Sequence, residues 1–230
     1  MPSRRDVVAL GASAALLASG GKSFPQSRPG GSRLVTRLFN FKDDVSADTA
    51  AEAVARCKAA ARLSGADGFL AGRNFIPNPF PARFEWIYMI QFNAADGPGA
   101  QGYERFKPAQ DGLEPLLRNQ VECDLNCPLP PGYADAAGVG VRHTVMFNFK
   151  PEATAEARTR NVDAIRAMGK LPMVRGYLVQ PSAGPASGPD QMQWQVVGDF
   201  AGAAAREEAD PYSGGVQIVF CGELFAGDRG

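Results

Sequence analysis

Histidine, cysteine and tryptophan are scarce in this 230-residue chain. It has one histidine, four cysteines and two tryptophans, too few for a metal site built from several histidine or cysteine ligands. An excess of charge of either sign is missing too, because 24 basic residues balance 24 acidic ones. A neutral chain has no general attraction to the phosphate backbone of a nucleic acid. We therefore expect neither a metal centre nor a nucleic-acid partner.

Several common enzyme motifs are also absent. The chain has no glycine-rich phosphate loop, no Gly-x-Ser-x-Gly segment and no paired carboxylates at a diagnostic spacing. Hydrophobic residues make up 45% of the sequence, which is sufficient for a packed core of ordinary globular type. The composition thus predicts a globular protein of one or two domains and leaves its chemistry open.

The N-terminal segment resembles an export signal. Arg4 and Arg5 precede an uncharged run from Val7 to Gly20. The run is about 14 residues long, whereas a helix needs roughly 20 to span a bilayer. Paired arginines before a weakly apolar run resemble a twin-arginine (Tat) signal. We expect residues 1–20 to be a removed Tat signal, followed by a linker over 21–32 and a periplasmic or secreted mature chain without an integral membrane segment; a disordered or anchoring N-terminus is the alternative.

Export would permit disulfide bonds between the cysteines. Cys57, Cys123, Cys127 and Cys221 allow three complete pairings. In one regular strand, Cys123 and Cys127 would lie about 13 Å apart and could not bond to each other. An irregular turn at Cys127-Pro128 would bring them together, so the pairing stays open.

An internal repeat organises the chain after residue 32. Phe39-Asn40-Phe41-Lys42 recurs as Phe147-Asn148-Phe149-Lys150, 108 residues later (147 minus 39). The same offset holds from Thr36 to Phe92: it relates Thr36 to Thr144, Val54 to Val162, Gly68 to Gly176, Leu70 to Leu178, Trp86 to Trp194 and Phe92 to Phe200. A constant offset indicates two copies of one unit. We assign them to residues 33–129 and 141–226, with a linker over 130–140.

Each copy has the pattern strand, helix, strand, strand, helix, strand. Runs of β-branched and aromatic residues predict first strands at 34–41 and 141–149. Alanine-rich stretches predict helices at 49–63 and 154–168, which Ser46 and Thr154 can cap. Second strands begin at Gly68 and Gly176, and third strands cover 86–92 and 194–200. Proline-rich loops follow the second strands at 77–81 and 181–189, second helices are expected near 101–114 and 201–210, and final strands near 119–125 and 215–223.

A βαββαβ unit forms a four-stranded antiparallel sheet with helices on one face and leaves the other face apolar. Two such units can bury their apolar faces against each other. We therefore predict an α+β fold in which two ferredoxin-like βαββαβ repeats form one fused, pseudo-dimeric barrel. The chain would be a monomer containing this pseudo-dimer, or a homodimer of it.

The second copy resembles a known family. Residues 142–151, Arg-His-Thr-Val-Met-Phe-Asn-Phe-Lys-Pro, followed by a helix and Leu171-Pro172-Met173-Val174, resemble the opening of a stress-responsive A/B barrel (Dabb) domain. The resemblance is good over 141–180 and fainter in the first copy, which has Val35 in place of His143. It implies the barrel architecture of that family, which is usually assembled from two single-domain chains.

The enzymatic members that this family resemblance brings into question are Dabb-type polyketide cyclases. They use the first-strand histidine together with a His-Pro-x-His segment. His143 matches the first-strand histidine. The segment is replaced by Lys107-Pro108-Ala109-Gln110 in copy one and by Asp210-Pro211-Tyr212-Ser213 in copy two. Histidine is the side chain best suited to act as a base near neutral pH. We therefore expect no cyclase activity.

Five residues are the candidates for a functional site. His143, the candidate catalytic residue, is either a structural strand residue or one that lines a pocket or ligates a cofactor. One histidine could hold a noncovalent haem, by analogy with haem enzymes on similar barrels, but we assign no cofactor. The candidate ligand contacts are Tyr88, Tyr103, Tyr177 and Trp194, and the repeated aromatic residues are also expected in the barrel core or between the sheets.

Two classes of function follow. The first is a noncatalytic, exported Dabb-type barrel that binds a small apolar or aromatic ligand or acts in an envelope stress response. The second is an enzyme of polyketide-cyclase or oxygenase type, with or without haem, that has His143 in its pocket. The residues favour the first class.

Overall fold

The computed structural model describes residues 31–73, 84–93, 98–135, 141–149, 152–183, 193–200 and 224–225. The first half contains β1 (Ser32–Phe41), α1 (Ala47–Leu63), β2 (Gly68–Arg73), β3 (Trp86–Asn93), α2 (Pro98–Leu113) and β4 (Leu117–Cys127). The second contains β5 (Val141–Phe147), α3 (Ala155–Met168), β6 (Val174–Pro181), β7 (Trp194–Phe200) and β8 (Leu224–Phe225). The predicted signal, the helix predicted at 201–210 and the strand predicted at 215–223 lie outside the described residues.

The strands form two four-stranded antiparallel sheets. Their orders are β2-β3-β1-β4 and β6-β7-β5-β8, in which the first strand of each unit lies between the third and the fourth. This is the ferredoxin-like arrangement that the element order predicted. The α+β class is therefore confirmed.

The strand registers of the two sheets obey the 108-residue offset of the sequence. In the first sheet Arg33 pairs with Phe92, and in the second Val141 pairs with Phe200. The fourth strand departs from this offset, because Leu34 pairs with Leu125 whereas Arg142 pairs with Phe225, an offset of 100 (225 minus 125). The connection to the last strand is thus eight residues shorter in the second half (108 minus 100).

The helices begin at the residues that the sequence predicted as caps. Ser46 Oγ accepts a hydrogen bond from the amide of Thr49 at 3.1 Å, and Thr154 Oγ1 accepts one from the amide of Ala157 at 3.2 Å. Each bond satisfies an amide that the first helical turn leaves without a partner. On its buried side, α1 presents small residues such as Ala53 and Cys57. The buried residues of α3 are the larger Val162 and Ile165.

Strand alternation divides the core into layers. One layer combines residues of both sheets, among them Leu34, Ile87 and Leu125 from the first and Met146, Leu178 and Val197 from the second. We call this the inter-sheet layer. A second layer lies between the first sheet and its helices. A third layer lies between the second sheet and α3. Edges of the sheets also meet, since β4 contacts β6 and β2 contacts β8.

The aromatic residues that repeat at the 108 offset occupy the helix-facing layers. Tyr88 and Trp86 pack with α1 and α2, and Tyr177 and Trp194 pack with α3. Of the two positions expected for these aromatic residues, in the core or between the sheets, they occupy the core, on the helix side of each sheet. The reason is the strand period of two: on β3 and β7 the even-numbered residues face the helices.

Two local expectations also change. Pro181 ends β6 and pairs with Trp194 instead of beginning a loop, which is tolerated because β6 is an edge strand and a proline there forfeits no ladder bond. Cys123 and Cys127 both lie in β4, so they are too far apart to bond to each other. Cys57, Cys123 and Cys127 are free and buried, and Cys221 lies outside the described residues.

Among the described residues, no helix has the length and apolar character needed to cross a membrane.

Candidate functional site

His143 lies in the middle of the second sheet, on its helix-facing side. It pairs with Gly198 of β7 and with Leu224 of β8. Gly198 in turn pairs with Tyr177 of β6. Tyr177, Gly198 and His143 therefore form a row across three adjacent strands, and we call these three residues the His143 row. His143 and Tyr177 are both partly exposed.

The corresponding row in the first sheet is apolar. The 108-residue offset relates Tyr177, Gly198 and His143 to Phe69, Ile90 and Val35, which are paired in the same way across β2, β3 and β1. Ile90 and Val35 are fully buried under the helices. The second half thus has a hydroxyl, an imidazole and a glycine where the first half has core side chains.

Gly198 is closely covered by two aromatic rings. A Cβ atom on Gly198 would lie 2.9 Å from Cε2 of Phe200 and 3.2 Å from Cε2 of Tyr177. The Tyr177 hydroxyl donates a hydrogen bond to Sδ of Met168 in α3, at 3.7 Å. Burial raises the pKa of Tyr177 above its ordinary value, so its phenol is neutral at physiological pH. The His143 row therefore offers an aromatic surface beside one imidazole.

The first half has a polar cluster in the same layer, between its sheet and α2. Tyr88 and Tyr103 both donate a hydrogen bond to Oε1 of Gln110, at 3.0 and 3.2 Å. Nε2 of Gln110 donates to Oε2 of Glu122 at 3.2 Å. Arg37 donates to the same Glu122 oxygen through Nε and Nη2, at 3.0 and 2.8 Å. We call these five residues the Gln110 cluster, and the structure brings the candidates Tyr88 and Tyr103 together there.

Burial keeps the two phenols of the Gln110 cluster protonated. Burial raises the pKa of Tyr103 to about 12 and that of Tyr88 well above its ordinary value. The neighbouring thiol of Cys57 also has a raised pKa because of burial. Neutral phenols and a neutral thiol donate hydrogen bonds but do not abstract protons. The cluster therefore anchors α2 to the sheet.

Arg33 extends the polar residues towards the surface. Its Nη2 lies 2.8 Å from Oδ2 of Asp124, and its guanidinium is 3.8 Å from the centre of the Tyr103 ring. A shallow depression of about 540 Å³ opens beside it, lined by Arg33, Gln101, Glu104 and Arg105. Arg105 is engaged through Nη2 with the carbonyl of Ser64. The two cations of the depression therefore already have partners within the chain.

Trp194 is placed apart from the His143 row. Its ring stacks on Phe147 at 6.2 Å between centroids and meets Phe149 edge-on at 6.1 Å. Trp86 makes the equivalent contacts with Phe39 and Phe41 in the first half. Trp194 is four residues from Gly198 along β7, or about 13 Å at 3.3 Å per residue. The repeated aromatic trio indicates a packing role for Trp194.

Sequence reasoning missed the charged members of these layers. Arg37 and Glu122 are directly opposite each other on β1 and β4, and opposite charges on facing strands attract. Strand prediction had identified both segments, so the pairing of first with fourth strand would have revealed this contact. Gln110 gave no such signal, because its partners come from three different elements.

Among the described residues, histidine, cysteine, aspartate and glutamate form no group of three that could hold a metal ion.

Comparison with known proteins shows a shared fold. No family model matches the chain, and no curated protein matches it. A putative chlorite dismutase of solved structure is 9% identical with a TM-score of 0.50, over 85% of this chain and 94% of that chain. A chlorite dismutase variant from Candidatus Nitrospira defluvii, in complex with cyanide, is 12% identical with a TM-score of 0.50, over 86% of this chain and 91% of that chain.

A third solved structure matches a smaller part of the chain. It is a dimeric ferredoxin-like protein of unknown function from Thermobifida fusca, 13% identical with a TM-score of 0.35, and the match covers 44% of this chain and 99% of that one. The fold of the chain is thus α+β and ferredoxin-like, and it is similar to that of chlorite dismutases.

Proposed function

We propose that this chain is a noncatalytic, small-ligand-binding protein of the Dabb type. The observation that carries the proposal is that neither copy keeps the histidine pair of the cyclases it resembles. Copy one has Val35 and Gln110 at the two positions, and copy two has His143 but no histidine in the segment from Asp210 to Ser213. His143 therefore has no second histidine to act with.

Gln110 also differs chemically from the histidine it replaces. An amide does not accept a proton near neutral pH. Its oxygen already accepts from Tyr88 and Tyr103, and its nitrogen donates to Glu122. The counterpart segment in the second half, Asp210 to Ser213, lies outside the described residues. General base catalysis by a paired imidazole therefore has no support in the first half of the chain.

The architecture that we propose for this role is one fused barrel that arose by tandem duplication. Support comes from the common 108-residue offset of the strand registers and from the inter-sheet layer, to which both sheets contribute. The contacts of β4 with β6 and of β2 with β8 would close the barrel at both seams.

The ligand site that we propose is the His143 row. An apolar or aromatic molecule would pack against the partly exposed ring of Tyr177, beside the partly exposed imidazole of His143. Pockets of this kind combine an apolar surface with a few polar groups that orient the ligand. The conversion of three core positions of the first half into Tyr, Gly and His supports this site.

Native mass spectrometry of protein purified from its own host tests this proposal. We expect a bound small molecule in the wild type and its loss in His143→Val, which introduces the residue found at the equivalent position 35. Tyr103→Phe is the matched control, because it alters the helix-facing layer of the other half and should leave the ligand in place. Equal occupancy in both variants, or no bound molecule in any sample, would contradict the proposal.

A haem-dependent oxygenase with His143 as the axial ligand is the second candidate, prompted by the fold shared with chlorite dismutases. The described residues around His143 do not fit haem in the observed arrangement. A porphyrin needs open space on all sides of the coordinating nitrogen, and the rings of Phe200 and Tyr177 cover Gly198 beside it. An absorbance spectrum of the purified protein with a Soret band would reverse this judgement.

We also propose export by the Tat route, with removal of residues 1–20. Arg4 and Arg5 before a weakly apolar run support it. Replacing both with lysine should leave the precursor in the cytoplasm, as measured by fractionation and immunoblotting, and unimpaired export of that variant would contradict the proposal.

A further inference from the structure

Fully buried polar side chains of the inter-sheet layer include Thr36 of β1, Thr144 of β5 and Gln195 of β7, each with no exposed surface. Nε2 of Gln195 donates a hydrogen bond of 2.8 Å to Oγ1 of Thr36, which links the second sheet to the first. The surrounding residues are apolar, among them Ile87, Met146 and Val197.

The repeat explains why this arrangement is incomplete. The 108-residue offset relates Thr36 to Thr144 and Ile87 to Gln195. The counterpart of the bond from Gln195 to Thr36 would therefore run from residue 87 to Thr144. Isoleucine has no polar atom, so this second bond does not form. Oγ1 of Thr144 and Oε1 of Gln195 have no hydrogen-bond partner among the described residues.

The strand register places Thr144 and Gln195 near each other on β5 and β7. Thr144 pairs with Val197, and Gln195 pairs with Met146, two residues along the same two strands. They are diagonal neighbours on one face, and such neighbours have Cα atoms about 7–8 Å apart, within reach of a long side chain. A small molecule between them could contact both oxygens.

Buried polar atoms without a partner cost free energy, and native structures commonly satisfy them with internal water. Water can accept from the Thr144 hydroxyl and donate to the carbonyl oxygen of Gln195 at once. We propose that one internal water molecule binds between the sheets at Thr144 and Gln195 and completes the polar link that Ile87 cannot make.

A high-resolution crystal structure tests this site directly. We expect electron density for one water within about 2.7–3.2 Å of both Thr144 Oγ1 and Gln195 Oε1. Thr144→Ser retains the hydroxyl and should keep the water. Thr144→Val and Ile87→Gln should each lose it, the first by removing a ligand and the second by supplying a direct partner. Absence of the density in the wild type would overturn the proposal.

Urea unfolding supplies a second, independent readout. Thr144→Val should lower the midpoint, because it removes one of the hydrogen bonds of the water. Thr36→Val is the matched control, since its hydroxyl has a direct protein partner, and it should also lower the midpoint. A rise in the midpoint of Thr144→Val, with a fall for Thr36→Val, would mean that the Thr144 hydroxyl is buried dry and would overturn the proposal.

Discussion

A buried ion pair distinguishes the inter-sheet face of the second half from that of the first. Arg142 donates to Asp199 through Nε at 2.7 Å and Nη2 at 3.0 Å. Its Nη1 donates to the carbonyl of Tyr133 at 2.7 Å, and its guanidinium is 4.5 Å from the centre of that ring. Tyr133 belongs to the segment that connects the halves, so this arginine fixes the connection against the second sheet.

The first half has Leu34 and Gln91 at the positions that the 108-residue offset relates to Arg142 and Asp199. These two residues are therefore suitable replacements for the ion pair. We expect Asp199→Gln alone to lower the free energy of unfolding by about 3–5 kcal/mol, since it leaves the Arg142 charge buried and unpaired. Adding Arg142→Leu should restore most of the loss, as apolar replacements of buried pairs often do. Urea unfolding of the two variants measures this, and a double variant as unstable as the single one would contradict it.

Tyr103 predicts how stability changes in alkali. Burial raises its pKa to about 12, against an ordinary value near 10. The unfolded chain therefore loses the phenol proton first, and the stabilisation, complete below pH 10, is lost as the pH rises from 10 through 12. We expect Tyr103→Phe to make the free energy of unfolding less dependent on pH within this window. Identical slopes for variant and wild type would show that Tyr103 titrates normally.

At the scale of elements, the position of α2 depends on a close approach to β3. A Cβ on Gly102 would lie 2.7 Å from Cδ1 of Phe92 and 3.0 Å from the backbone oxygen of Ser64. Gly112 is in the same helix, and a Cβ there would meet nothing within 4 Å. The first glycine allows the helix to pack, whereas the second only lowers helix propensity.

The two glycines should therefore respond to alanine with opposite signs. We expect Gly102→Ala to destabilise the protein by about 1–3 kcal/mol, because Phe92 and the backbone near Ser64 must shift. Gly112→Ala should stabilise it by up to about 1 kcal/mol through helix propensity. Thermal or urea unfolding of both variants gives the comparison, and a stabilising Gly102→Ala would show that the packing is looser than observed.

The elements themselves were largely predictable from periodicity and from the offset. The spacing between Phe39 and Trp86 equals that between Phe147 and Trp194. This equality predicted that both pairs face each other across strands in the same way, as they do. The side-chain networks were not predictable in this way, because Gln110 meets Tyr88, Tyr103 and Glu122 only once α2 has docked. The His143 row needed the register of three strands before Gly198 could be placed between Tyr177 and His143.

At the scale of the whole molecule, the inter-sheet layer couples the two halves. Leu34 and Met89 of the first sheet share one buried cluster with Met146 and Val197 of the second. The amide of Ala183 also donates to the carbonyl of Asp124 at 2.6 Å, across the contact between β6 and β4. Unfolding one half alone would expose the apolar face of the other to water, which opposes independent unfolding.

The two tryptophans allow this coupling to be measured, because Trp86 reports on the first sheet and Trp194 on the second. We expect the single-tryptophan variants Trp86→Phe and Trp194→Phe each to show the same urea midpoint by fluorescence as by far-ultraviolet circular dichroism. Coincident transitions are the sign of one cooperative unit. The comparison is made within each variant, so any loss of stability caused by the substitution affects both signals equally. In the contrary case, the fluorescence midpoint would lie above the circular dichroism midpoint in one variant and below it in the other. The halves would then unfold separately, and the inter-sheet layer would contribute little to their stability.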